Sequence, residues 1–137
     1  MKASKRMKQV IEKIVEARGE HIARDLYLKI ENPPYMPLTI ELTWEGLLSV
    51  CHYAKDGYGD LYQDPEVVFL IGCDGEWYPI EIQRPDARTG QFYRRYVEEV
   101  SGGKGIWSGK VDLKGQADLA TFCTFWANNI ARQGFAR

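Results

Sequence analysis

The stretch DLYLKIENPPYMPLTIELTW, residues 25–44, contains two alternating runs on either side of a proline-rich break. Apolar side chains occupy every second position of both runs: Leu26, Leu28 and Ile30, then Leu38, Ile40 and Leu42. A period of two is typical of a strand that buries one face. Because proline lacks an N–H donor, we expect residues 32–37 (NPPYMP) to interrupt the ladder. The stretch therefore predicts two neighbouring strands joined by a turn.

The next segments predict further strands of the same sheet. LLSVCHYA, residues 47–54, follows a turn at 45–46 and predicts the third strand. VVFLIG, residues 67–72, predicts the fourth, and its nearly continuous apolar sequence favours cover on both faces.

The second half of the sheet is predicted from a hairpin signal. Asp74-Gly75 favours a tight turn into WYPIEIQ, residues 77–83. We expect Tyr78, Ile80 and Ile82 of this strand on one side. QFYRRYVEEV, residues 91–100, predicts a sixth strand, with a helix as the alternative, and SGGKG, residues 101–105, predicts a loop.

Two amphipathic helices flank these strands. Residues 4–18 carry apolar side chains at helical spacing: Met7, Val10, Ile11, Ile14 and Val15. We expect the Ser4 side chain to cap this helix and Gly19 to end it. Residues 113–132 carry a second stripe: Leu119, Phe122, Cys123, Trp126 and Ile130. Gly115 favours a later start for this helix, and Gly134 favours an end.

The order of elements predicts an α+β fold. Two helices can cover one face of an antiparallel meander of five or six strands, which spans about residues 24–100. A length of 137 residues fits one domain, so we expect residues 1–137 to form a single domain.

Composition excludes several classes of protein. The net charge of −1 gives no overall attraction to nucleic acid or to anionic lipid. No apolar run approaches about 18 residues, and the basic N-terminus lacks the apolar core of a signal peptide, so we expect a cytoplasmic protein without a membrane span. The three cysteines form no CxxC pair, which argues against a zinc ribbon and favours buried, reduced thiols.

The acidic stretch GDLYQDPEV, residues 59–67, is the first candidate site. An EF-hand loop needs glycine at its sixth position and glutamate at its twelfth, but a loop starting at Asp56 has Leu61 and Val67 there. The main interpretation is a turn set by Asp64-Pro65 between two strands. Another cation site stays open as an alternative, with four carboxylates as weak candidate ligands: Asp60, Asp64, Glu66 and Glu81.

A metal-dependent hydrolase or nuclease is a second hypothesis, using Asp60, Asp64 and Glu81. Some nucleases bind Mg²⁺ with an aspartate on one strand and Glu-x-Lys on the next. Here Glu81 is followed by Gln83 instead of lysine, and glutamine carries no positive charge.

Aromatic and basic side chains indicate a binding surface. We expect it to include His52, Tyr53, Tyr62, Trp77, Arg94 and Arg95. The segment 84–95 also combines arginines with aromatic rings, which is the composition of a platform for single-stranded nucleic acid. His52 could transfer a proton or bind a metal, but a strand histidine satisfied by hydrogen bonds is the favoured interpretation.

Three segments, ENPPYMPLTIE, HYAKDGYGDLYQDPE and FWANNIARQGF, resemble an uncharacterised bacterial domain family. Its members are associated with plasmids, phages and other mobile elements. The resemblance covers most of residues 25–135 and implies no activity, cofactor or catalytic residue.

The sequence as a whole favours a small non-catalytic accessory protein that acts through protein–protein contacts. We expect a protein partner or a homo-oligomer, and no cofactor. The hydrolase and the nucleic-acid-binding module remain the alternatives.

Overall fold

The structure, a computed structural model, describes residues 1–43, 46–98 and 110–136. Its elements, in chain order, are α1 (Lys5–Ala17), β1 (Tyr27–Asn32), β2 (Tyr35–Leu42), β3 (Leu47–Lys55), β4 (Leu61–Ile71), β5 (Trp77–Asp86), β6 (Gly90–Arg95) and α2 (Leu113–Gln133). The predicted loop at residues 101–105 lies outside the described residues.

The six strands form one antiparallel sheet in the order β1-β2-β3-β4-β5-β6. The predicted α+β meander with an N-terminal and a C-terminal helix is confirmed. The main core lies between one sheet face and the two helices, because apolar side chains of all three belong to one buried cluster. Its fully buried members include Ile11 from α1, Leu48 and Phe69 from the sheet, and Ile130 from α2.

Helix α1 follows Ser4 and ends before Gly19, as predicted, but its N-terminus is not capped by a side chain. Gly19 has a φ of 74°, its N–H donates to Glu16 O, and Glu20 N–H donates to Val15 O. This pair of bonds satisfies carbonyls at the helix end, as in a Schellman motif. The predicted cap by the Ser4 side chain is wrong, because Ser4 makes no side-chain cap bond. Its backbone N–H instead donates to Trp77 O at 2.8 Å and so ties the helix start to β5.

Helix α2 begins at Leu113 in spite of Gly115. The Asp112 side chain accepts a hydrogen bond from Gly115 N at 2.9 Å and caps the helix. A side chain at residue 115 would meet the Tyr96 ring, so the glycine admits that ring against the first turn. Gly134 ends the helix with a φ of 80°, as predicted.

The proline-rich break is shorter than residues 32–37. Only Pro33 and Pro34 form the turn, since Asn32 already pairs with Tyr35. Pro37 lies inside β2, beside the register shift in the β1–β2 ladder and beyond the β2–β3 pairs, which begin at Leu38↔His52. A missing N–H is tolerated at such an irregular position.

Strand β5 does not keep one apolar side. A register shift separates the pair Val68↔Glu81 from Phe69↔Pro79. Tyr78 and Ile80 therefore belong to a second apolar cluster, with Leu70, whereas Ile82 belongs to the main core. The prediction that Tyr78, Ile80 and Ile82 share a side is wrong, because the extra residue reverses the alternation. Apolar cover on both faces of β4 is confirmed by the same two clusters.

Two further findings concern the cysteines and the helices. Cys51 and Cys123 are buried free thiols as expected, but Cys73 is exposed, because it lies in the turn between β4 and β5.

Within the described ranges, neither helix combines the length and the apolar character needed to cross a bilayer.

Candidate binding cleft

The central strands β4 and β5 are paired over only part of their length. Their ladder runs from Ile71↔Trp77 to Glu66↔Gln83 and stops there. Beyond that point, Leu61–Gln63 pairs only with β3, and Arg84–Asp86 pairs only with β6. The sheet is therefore split at one end, between its fourth and fifth strands.

A bulge in β4 accounts for the split. Cys51 pairs with Glu66 and Tyr53 pairs with Gln63, so one residue of β3 between these pairs lies opposite two residues of β4. The extra residue falls at Asp64-Pro65, and a bulge bends its strand and leaves ladder positions unpaired. The prediction that Asp64-Pro65 forms a turn is wrong. The turn is formed by residues 56–60, where Asp56 N–H donates to Asp60 O at 3.0 Å.

A groove of about 520 Å³ opens at the split. This volume is within the range of protein ligand pockets. We call the groove the β4–β5 cleft. Its lining residues are Asp56, Leu61, Tyr62, Gln63, Arg84, Pro85, Gly90 and Gln91. Alternate backbone groups of a strand point to each side, so each lip directs peptide groups toward the cleft.

Arg84 supplies the positive charge of the cleft. Its guanidinium carbon lies 4.4 Å from the centre of the Phe92 ring, within the range of a cation–π interaction. Its Nη1 donates only a long 3.4 Å bond to Pro85 O. Among the described residues no carboxylate forms an ion pair with Arg84, whereas Arg94 and Arg95 have such partners in Asp112 and Glu81.

The opposite lip carries one carboxylate that is committed to the turn. Asp56 Oδ1 accepts hydrogen bonds from the N–H groups of Tyr58 and Asp60, at 2.8 and 3.0 Å. Leu61 is 60% exposed, which leaves an apolar side chain at the cleft entrance.

The sheet face opposite the helices carries a set of polar side chains. Register places one cross-strand row through Thr39, Cys51, Glu66, Gln83 and Tyr93, and a parallel row through Glu41, Ser49, Val68, Glu81 and Arg95. The Ser49 hydroxyl donates to Glu66 at 2.6 Å, and the Tyr93 hydroxyl donates to Glu81 at 2.5 Å. Both glutamates are therefore held by partners within the fold.

Acid–base behaviour on this face does not favour nucleophilic chemistry. Burial, together with the charge of Glu66, raises the pKa of the Cys51 thiol to about 12. Burial and the neighbouring Cys51 and Glu66 also raise the pKa of Tyr53 to about 12. A thiol of this kind stays protonated near neutrality, and the protonated form is a poor nucleophile.

His52 is a buried structural side chain. Its Nδ1 lies 3.1 Å from Met36 O and 3.3 Å from Pro37 O. Because carbonyl oxygens only accept hydrogen bonds, Nδ1 is protonated and donates to them. The ring packs against Trp126 and Phe135, each with centroids 5.7 Å away. Burial lowers the pKa of His52, while the two carbonyls and the charge of Asp64 oppose that shift.

The four candidate metal ligands are dispersed. Asp60 lies in the exposed turn, and Asp64 lies in the β4 bulge, where its charge acts on His52. Glu66 and Glu81 share the polar face. Over the described ranges no three His, Cys, Asp or Glu side chains could jointly hold a metal ion. The acidic cation site and the hydrolase remain predictions. Of the four candidate ligands, only Glu66 and Glu81 share a sheet face, and of the hydrolase residues only Glu81 lies there.

The residues of the predicted binding surface occupy several environments. His52 and Trp77 are 4% and 2% exposed and belong to the interior. Tyr62 lines the cleft, Tyr53 and Arg95 lie on the polar face, and Arg94 lies on β6.

Two arginine side chains cover aromatic rings at this edge of the sheet. The guanidinium groups of Arg84 and Arg94 lie over the rings of Phe92 and Tyr96, so one face of each ring is covered. Nucleic-acid binding stays a prediction.

The cleft is not predictable from the local sequence, because it forms only where strands that are distant in the chain come together. Gln63 and Gln91 are unremarkable in the sequence, and only the register brings their strands to one groove. One local signal existed: Pro65 follows a strand-like run, and a proline within such a run marks a bulge.

Comparison with known proteins gives a family and no activity. No curated protein and no solved structure matches the chain significantly. Residues 8–136, which are nearly the whole chain, match a domain family of unknown function, DUF6908. The chain belongs to the DUF6908 family.

Proposed function

We propose that this protein is a non-catalytic binding module that receives an extended segment of a partner protein in the β4–β5 cleft. The observation that carries the proposal is the end of the β4–β5 ladder at Glu66↔Gln83, with a groove of about 520 Å³ beyond it. Strand edges without partners are templates for pairing with another chain, and several peptide-binding domains use them in this way.

The lining supports a peptide rather than a flat protein surface as the occupant. Leu61, Tyr62 and Pro85 offer apolar contacts, and Gln63 and Gln91 offer side-chain amides that can donate and accept. Backbone pairing gives affinity in such complexes, while pockets for alternate side chains give specificity.

Catalysis has less support. The acidic residues are dispersed or hydrogen-bonded within the fold, and the buried thiol of Cys51 is protonated. We propose the cytoplasm as the location, because the buried cysteines Cys51 and Cys123 favour reduced thiols. The sequence resemblance alone supports a mobile genetic element as the genetic context.

The test is selection from a random octapeptide library displayed on phage against the folded protein. We expect enriched peptides to bind with a stoichiometry of one, and to lose binding when their alternate amides are N-methylated. The blocking variant is Gln91→Trp, which fills the cleft from an exposed position. Its matched control is Glu31→Trp, also exposed, on the far edge strand β1.

Two results would overturn the proposal. One is a library that yields no enriched peptide. The other is a set of enriched peptides that bind the Gln91→Trp variant as tightly as the wild type. A loss that appears only with Gln91→Trp and not with Glu31→Trp supports the cleft.

A further inference from the structure

We infer that Arg84 is the specificity-determining residue of the cleft and that its ligand is a carboxylate carried by the bound segment. This inference rests on the proposed function of the cleft and adds the chemical class that the cleft selects. The carboxylate can be the C-terminus of the partner chain or an aspartate or glutamate side chain, and both present the same two oxygens.

The first support is the unused charge of Arg84. Arg94 Nη2 lies 3.0 Å from Asp112, and Arg95 lies 3.9 Å from Glu81 and also donates to Val97 O. Arg84 lines the groove and has no carboxylate partner among the residues that the structure describes. Among the described residues, Arg84 makes only the long 3.4 Å bond from Nη1 to Pro85 O, so most of its N–H donors are available to an incoming anion.

The second support is the fixed position of the guanidinium. Phe92, directly opposite Arg84 in the β5–β6 ladder, lies beneath the guanidinium group at 4.4 Å. A planar fork held on an aromatic face is ready for two parallel N–H···O bonds to a carboxylate. Orientation before binding lowers the entropy lost when the ligand arrives.

The third support is the charge pattern of the two lips. Among the residues that the structure describes, the one other charged group lining the cleft is Asp56, on the opposite lip, and its Oδ1 is engaged by the turn. A carboxylate in the cleft is attracted to the β5 lip and repelled from the turn. The charge pattern therefore favours a carboxylate at Arg84.

The experiment uses four acetylated hexapeptides of valine and threonine, which favour extended structure. The first ends in a free carboxylate, the second ends in an amide and carries one internal glutamate, the third is an uncharged amide, and the fourth is an amide with one lysine. Affinity is measured by calorimetric titration at low salt, and the Arg84 Nε–H resonance is followed by NMR.

We expect the first or the second peptide to bind about ten- to a hundredfold more tightly than the uncharged one, as hydrogen bonds to charged groups allow. Whichever of the two binds identifies the source of the carboxylate. Arg84→Gln should remove this preference, so that the charged and uncharged peptides bind alike. Arg84→Lys should restore part of it, because lysine keeps the charge without the planar fork. Arg88→Gln is the matched control, since Arg88 is exposed in the adjoining turn and does not line the cleft.

The outcomes separate the two proposals. If the four peptides bind alike and Arg84→Gln changes nothing, the inference about Arg84 is overturned while the peptide-binding cleft survives. If no peptide binds, and the library selection also yields nothing, both fail together.

Discussion

At the scale of single residues, His52 links the pH to the stability of the fold. Burial between Trp126 and Phe135 lowers the pKa of His52 from its ordinary value of 6.5, so the folded state resists protonation. The folded state then binds fewer protons than the unfolded state near that pKa. The contribution of His52 to stability is therefore fully present above pH 6.5 and is lost as the pH falls below it.

We expect the difference in unfolding free energy between wild type and His52→Gln to shrink as the pH is lowered from about 7.5 to 5. The slope cannot exceed about 1.4 kcal/mol per pH unit for one proton. Urea unfolding at each pH gives the measurement. His21→Gln, at an exposed position, is the control variant. A constant difference for His52→Gln would contradict the account.

Gln116 is a second residue whose role is local and measurable. It is fully buried, its Oε1 accepts from Lys2 N at 2.8 Å, and its Nε2 donates to Lys2 O and Pro79 O. Gln116→Leu should cost about 1–3 kcal/mol, because a buried carbonyl loses its donor. Gln9→Leu, on the exposed side of α1, should stay within about 0.5 kcal/mol. Chemical denaturation compares the stabilities of the two variants. Equal losses of stability would contradict a stabilising role for the Gln116 hydrogen bonds.

At the scale of elements, Gly115 in the first turn of α2 shows that helix propensity and packing favour different residues. Alanine is favoured over glycine by about 1 kcal/mol inside a helix. At residue 115, however, a Cβ would lie 2.4 Å from Tyr96 Cε1 and 2.6 Å from Asp112 Oδ2. Overpacking typically costs about 1–3 kcal/mol, and the gain in helix propensity offsets about 1 kcal/mol of it, so we expect Gly115→Ala to destabilise by a net of up to about 2 kcal/mol.

The matched control for this prediction is Gly57→Ala. Gly57 has open space around its Cα and no positive φ, so alanine should be neutral or stabilise by up to about 1 kcal/mol. Thermal melts of both variants give the comparison. A Gly115→Ala variant as stable as Gly57→Ala would contradict the prediction, because it would show that the Tyr96 ring can move aside without loss of stability.

The elements also show where sequence reasoning reaches its limit. The alternation in residues 25–44 and the stripes of both helices predict the meander, because periodicity is a local property of the chain. The bulges near Pro37, Pro65 and Ile80 are set by cross-strand register, which no local pattern specifies. The cleft follows from the second of these bulges. The acidic stretch beside the cleft is visible in the sequence, but the opposite lip, at Arg84, belongs to another strand.

At the scale of the whole molecule, the two chain ends support each other on one side of the sheet. Helices α1 and α2 share a single buried cluster with β1–β5, and Arg6 Nε donates to Asn128 Oδ1 at 2.8 Å between the helices. Removing part of α1 should therefore weaken the sheet and α2 as well. Such coupling predicts one cooperative unfolding transition rather than early loss of a terminal helix.

Ile11→Ala tests this coupling, since Ile11 is a fully buried side chain of α1. We expect a loss of about 2–5 kcal/mol, with coincident midpoints for the helical circular dichroism and for tryptophan emission. Buried Trp77 and Trp126 report on the sheet and on α2, so their emission follows elements that Ile11 does not belong to. Leu113→Ala, at a side chain that is 63% exposed, should change stability by no more than about 0.5 kcal/mol. If Ile11→Ala lowered the helical signal well before the tryptophan emission changed, α1 would be an independent unit, and the shared core would not make the fold cooperative.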